Sequence, residues 1–275
     1  MQTAIAPVIT MAFDIRQSAN SAANAATVLS AFALTIIILL IGSSDLRKDP
    51  MSSFIVRPFM LAFIGNMLAG FQFMLVEADT TLTERTFAMI LPPELLTIVS
   101  TVMMLFGIIL AVIRYFPDKE VSRLSLWLFV VVGVYMVGIA HRTISDLYHV
   151  HAQDEGGPHH FLLARIAILV WSPIAIVALA HVVLERFQLS LKRLHSWNLW
   201  WASIAMIMAV LLFGVAATIN THNPLHDRLL TVVAAGTIAT LWLVLGACFY
   251  LLRHVEQLWE HYPLPDSPNA VIPAS

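Results

Sequence analysis

Residues 92–113 read PPELLTIVSTVMMLFGIILAVI, with Glu94 the sole ionisable side chain in the run. A membrane span needs about 20 mostly apolar residues to cross roughly 30 Å of hydrocarbon, and only a helix satisfies every backbone group within one segment. This stretch therefore reads as a transmembrane helix. Pro92 and Pro93 suit its start, where a missing amide proton has no partner to lose.

Six further stretches of the same character flank it: Ala25 to Ile41, Val56 to Val76, Leu124 to Ile144, Phe161 to Leu184, Leu199 to Ile219 and Leu229 to Leu252. Pro58, near the start of the second, reads as Pro92 does. The expected fold is an all-α integral membrane protein, a seven-transmembrane-helix bundle. Residues 1–24 then form a tail, 25–254 the membrane domain and 255–275 a second tail. Composition agrees, since 59% hydrophobic and 12% charged residues over 275 positions leave too little polar surface for a soluble globule. Mean hydropathy is +0.81. No β-barrel alternation is present. A net charge of −2 gives no basic surface for nucleic acid. The lipid bilayer is the expected partner, with other membrane subunits as candidates.

Positive charge near a span tends to stay cytoplasmic, which orients the chain. Arg47, Lys48, Arg57, Arg114, Lys119, Arg123, Arg186, Lys192, Arg193 and Arg253, ten in all, fall on one side of the alternation. Arg16, Arg85, Arg142, Arg165 and Arg228, five in all, fall on the other. The N-terminus is expected outside and the C-terminus in the cytoplasm, in a bacterial cytoplasmic (inner) membrane. The first twenty-odd residues lack the basic start and cleavage site of a secretory signal. The lone cysteine, Cys248, lies in the last span and excludes an intramolecular disulfide.

The span interiors carry few polar groups. Asn66 and Gln72 in the second span are the main exceptions, and Glu94 is expected in the first turn of the third, facing the positive helix end. His181 lies toward the inner end of the fifth. A proton-coupled transporter needs ionisable groups across the bilayer, and that chain is missing. Lys48, Lys119 and Lys192 all fall in loops, so no lysine is placed to carry a retinal Schiff base.

Histidines are unevenly distributed. His141 ends the fourth span and is followed by Asp146, His149, His151, Asp154, Glu155, His159 and His160, while the sixth-to-seventh loop holds His222, His226 and Asp227. Seven of eleven histidines thus face the exterior. On a helix continuing past the membrane, His141, Ser145 and His149 share a face, as do Arg142 and Asp146. His222 and His226 are also four apart, although Asn223–Pro224 opposes helix there. Neutral imidazole with carboxylate suits Zn(II), Cu(II) or Fe(II). The plainer reading of any one such histidine is a polar interfacial residue. The HExxH signature of a metalloprotease is absent, and a second paired-histidine box is missing. A stacked haem pair is disfavoured, because His160 and His181 would lie about 31 Å apart along a helix.

Asp146, His149, His160, Asn220 and His222 are similar in placement to the ligand-bearing loops of the C subunit of copper membrane monooxygenases. That family's loop spaces its aspartate and two histidines by three and then twelve residues, against two and ten here. The resemblance covers two loops and implies copper as the metal.

The expected function is therefore a membrane metalloprotein with a copper or zinc site at the extracytoplasmic face. Its ligands are drawn from His141, Asp146, His149, His159, His160, His222 and His226. In an oxidoreductase or hydrolase version, Asp154 or Glu155 serves as general base. The alternative is a non-catalytic accessory subunit or sensor. Met60, Met67 and Met74 form a stripe that fits helix packing better than a Cu(I) path. Trp127, Trp197, Trp200 and Trp201 fit an interfacial belt. Gly65, Gly70, Gly133 and Gly138 mark expected close helix approaches.

Overall fold

The computed structural model describes residues 15–43, 49, 52–79, 84–115, 119–155, 191–219 and 226–260, and all regular structure among them is helical. The helices are α1 (Ile15–Gly42), α2 (Ser52–Ala78), α3 (Glu84–Tyr115), α4 (Lys119–Glu155), α5 (Leu191–Ala217) and α6 (His226–Glu260). Five contain stretches long and apolar enough to cross a membrane: Gln17–Gly42, Ser52–Ala78, Ala88–Tyr115, Arg123–Ser145 and Arg228–Leu252. In α5 the shorter apolar stretch is Ala202–Ala217. The chain is a multi-pass helical membrane protein. The expected span Phe161 to Leu184 lies outside the described residues.

Helix α3 is the hub. It packs against α2, α4, α5 and α6, whereas α1 rests almost entirely on α2. Within their apolar windows 61% of α3 is buried, against 22% of α1 and 18% of α4. The outward sides of α1 and α4 are nonetheless apolar: Val28, Phe32, Ile38, Leu39, Val131, Val134 and Tyr135 are all exposed. Such surface is stable against lipid and costly against water. Met60, Met67 and Met74 lie on this outside too, each about half exposed, so the methionine stripe does not fill helix contacts as expected.

Helix α1 turns Ala19, Ala23, Ala26, Ser30, Ala33 and Ile37 inward, alternating steps of four and three residues. That period keeps one seam of small side chains against α2 and lets the backbones approach. A Cβ on Gly70 would sit 3.7 Å from both Ala23 O and Thr27 Oγ1. The pair runs antiparallel, as Asn20 Nδ2 donates to Glu77 Oε1 (3.0 Å) at one end and Ser30 Oγ to Phe63 O (3.3 Å) near the middle.

Helices α2 and α3 are closer still. Gly65 backs directly onto Ser100 Oγ, and a Cβ there would also come within 2.8 Å of Met206 Cε from α5. Toward the other end the ring of Phe59 lies over Gly107, and Phe54 meets Phe106 edge to face at 6.5 Å. Gly133 touches Leu245 of α6, while Gly138 meets nothing within 4 Å among the described residues, so three of the four expected glycine approaches are seen there.

The prolines do not start helices. Helix α3 begins at Glu84, which puts Pro92 and Pro93 in its third turn, and α2 begins at Ser52, six residues before Pro58. Proline in a helix interior loses one backbone hydrogen bond and costs about 3 kcal/mol. Burial opposes that cost, since Ala88, Leu91, Leu95 and Leu96 are wholly enclosed. Thr97 Oγ1 also donates to Pro93 O (3.0 Å).

Candidate functional site

Three features of this bundle bear on function: the end of α4, the start of α6, and the charged groups held inside. Helix α4 stays helical for ten residues beyond the apolar stretch that ends at Ser145. Asp146, His149, His151, Asp154 and Glu155 therefore occupy helical register positions. Asp146 and His149 stand one turn apart, as do His151 and Asp154. Of the side chains just before them, His141 is half-buried, Arg142 exposed and Ile144 fully enclosed. His226 is the first residue of α6. His159, His160, Asn220 and His222 lie outside the described residues, as does any helical pairing of His222 with His226. Among the described residues no group of three or more His, Cys, Asp or Glu is arranged to hold a metal ion.

Glu94 is placed differently from expectation. It lies in the third turn of α3, away from the positive helix end, and its Oε1 accepts a hydrogen bond from Thr143 Oγ1 of α4 (2.9 Å). This bond ties α3 to α4 two residues from His141. Thr143→Val should remove it while keeping the shape of the side chain, at a cost of about 1–2 kcal/mol. The check is the thermal unfolding midpoint in detergent; an unchanged midpoint would make the contact energetically idle.

Besides an exposed Arg123–Glu120 pair within α4, two ion pairs join separate parts of the chain. Arg114, at the end of α3, grips Asp49 with two parallel bonds, Nε to Oδ2 (3.0 Å) and Nη2 to Oδ1 (2.9 Å), and Tyr115 Oη adds a third to Oδ2 (3.1 Å). Both charged side chains are almost fully buried, at 3% and 2% exposure. Asp49 O in turn accepts from Ser52 N at the start of α2 (3.0 Å). At the other end of α2, Asp79 takes Arg85 Nε (3.2 Å) and Nη2 (2.9 Å), with Arg85 partly open to solvent. Each pair closes a turn between consecutive helices or holds it to a third, so both are structural clasps. The signal was complementary charge at span ends on the same side of the alternation, Asp49 with Arg114 and Asp79 with Arg85.

Asn66 and Gln72, the polar residues expected inside the second span, are buried. Among the described residues neither amide atom of Asn66 has a hydrogen-bond partner, and Gln72 Oε1, Ser100 Oγ and Trp242 Nε1 share that condition. Trp127, 69% exposed near the start of α4, suits an interfacial anchor. The other expected anchors, Trp197, Trp200 and Trp201, lie in the first part of α5, residues 191–201, where only the backbone is described. Comparison with protein-family models, with curated proteins and with solved structures gives no match to this chain.

Proposed function

We propose that this chain is a membrane metalloprotein that holds copper or zinc at the extracytoplasmic face, with its N-terminus on that side and its C-terminus in the cytoplasm. The observation that carries the reading is the unbroken course of α4 to Glu155. A helix fixes Asp146 and His149 one turn apart, the i,i+3 carboxylate–imidazole spacing that helical bundles use to chelate metals. His141 lies two turns before His149 on the same face. His159, His160, His222 and His226 supply the remaining donors, the last from the first position of α6. Nitrogen and carboxylate oxygen without thiolate is a donor set for Zn(II) or Cu(II). A catalytic version leaves one coordination position for water or substrate, with Asp154 or Glu155 as general base for an oxidoreductase or hydrolase.

Elemental analysis of the full chain purified in mild detergent tests this directly. One copper or zinc per chain is expected, lost in Asp146→Ala and His149→Ala and retained in Thr143→Val. Metal-free protein that stays metal-free after incubation with either ion contradicts the site.

A second reading, a non-catalytic accessory subunit, is supported by the interior itself. Asp49 and Arg114 neutralise one another there, and so do Asp79 and Arg85 at the opposite end of α2. Co-purification from native membranes distinguishes it: a stable complex lost on detergent exchange favours the subunit, and an isolated chain that turns over a substrate contradicts it.

A further inference from the structure

Asn66 is completely enclosed on α2, yet among the described residues neither its Oδ1 nor its Nδ2 has a hydrogen-bond partner. An amide has two donors and two acceptor lone pairs, so the unmet partner must both give and accept hydrogen bonds. A cation satisfies only half of that requirement; water satisfies all of it. Leaving a buried amide wholly unpaired costs more than immobilising a water molecule beside it.

The surroundings supply further polar groups. On α2, Phe63 and Gly70 lie three residues before and four after Asn66, hence on the same face. Phe63 O is held by Ser30 Oγ of α1, and Gly70 looks onto Thr27 Oγ1 and Ala23 O of α1. Asn66 therefore sits between the levels of Ser30 and Thr27 in the α1–α2 seam. Ser30 spends its proton on Phe63 O, and Thr27 its own on Ala23 O (2.9 Å). Both hydroxyl oxygens keep lone pairs that can accept from water. The other buried positions of α1 in the seam are alanine and Ile37, so Ser30 is its one buried polar side chain among the described residues.

We propose that the α1–α2 seam binds ordered water at Asn66, bridging its amide to the hydroxyl oxygens of Ser30 and Thr27 and fastening α1 to the bundle. The site belongs to the fold rather than to the histidine-bearing ends of α4 and α6, and stands whether or not metal binds there.

Water-edited solid-state NMR on the full chain in lipid bilayers tests it. Gly65–Asn66 is the one Gly–Asn pair in the sequence, so carbonyl-labelled glycine with carbon- and nitrogen-labelled asparagine selects the Asn66 backbone nitrogen and, through the side-chain carbons, its Nδ2, without a substitution. Magnetisation from water should reach Asn66 Nδ2 as quickly as it reaches the exposed Asn24 side chain. In Ser30→Ala the transfer should weaken, with the Asn66 side-chain resonance shifted. Failure of water magnetisation to reach Asn66 Nδ2 in the unmodified chain overturns the proposal, and so does a transfer that Ser30→Ala and Thr27→Val both leave unchanged.

Discussion

Arg114→Ala is expected to lower stability by about 3–5 kcal/mol, because it strands the Asp49 carboxylate in a place with almost no access to water. At 2% exposure Asp49 cannot recover hydration without moving its chain, and Ser52 N at the start of α2 is tied to that chain. The variant should unfold at lower temperature or lower denaturant, with the α1–α2 hairpin loosened first. Asp49→Ala should cost a similar amount by stranding the guanidinium. The informative comparison is the double replacement Asp49→Leu with Arg114→Met, which removes both charges and fills their space. Buried ion pairs exchanged whole for apolar groups are often neutral or stabilising. Recovery of most of the lost stability in the double variant is therefore expected. A double variant as unstable as the sum of the singles would mean that Tyr115 and the chain around Asp49, rather than charge pairing, hold this end together.

Gly107→Val should be the next most damaging change. A Cβ at Gly107 would lie 2.7 Å from Phe59 Cε2 and 2.9 Å from its Cζ, and that ring is itself 2% exposed. A flexible chain end could step aside, but an enclosed ring cannot. Overpacking of this kind costs about 1–3 kcal/mol, occasionally more. Phe59→Leu should cost stability alone and yet partly rescue Gly107→Val, a coupling that a double-mutant cycle in detergent reads as non-additivity. Strict additivity would show that α2 and α3 shift apart freely at this point. Gly65 should tolerate alanine better, since the Ser100 hydroxyl and the Met206 methyl against it can both rotate.

The sequence made the membrane spans readable because about 20 apolar residues in a row allow few other structures. Positions of small residues were partly readable as well. Gly65 and Gly70 do mark close approaches, whereas Gly107, inside the bland run LFGII, gave no sign of the ring above it. Pro58, Pro92 and Pro93 lie inside helices and do not start them, since a proline preference for first turns is local and the burial that carries α3 through its prolines is not. The Asp49–Arg114 clasp joins residues 65 apart, a pairing with no periodic signature. Of the candidate site, the helical register from His141 to Glu155 follows from α4, and the i,i+4 reading of that segment holds for its backbone. Whether imidazoles from separate loops meet depends on tertiary placement, which spacing along the chain does not encode.

In the proposed site the end of α4 and the start of α6 share one membrane face, near enough to hold a common ion. Spin labels on Ser145 and Arg228, in a Cys248→Ala background and in lipid bilayers, measure that relation without touching a proposed ligand. Neighbouring helices have axes about 8–10 Å apart, so an inter-label distance of about 20 Å or less is predicted. A distance of about 30 Å or more, the thickness of the hydrocarbon layer, would put the two elements on opposite faces and rule out a shared ion.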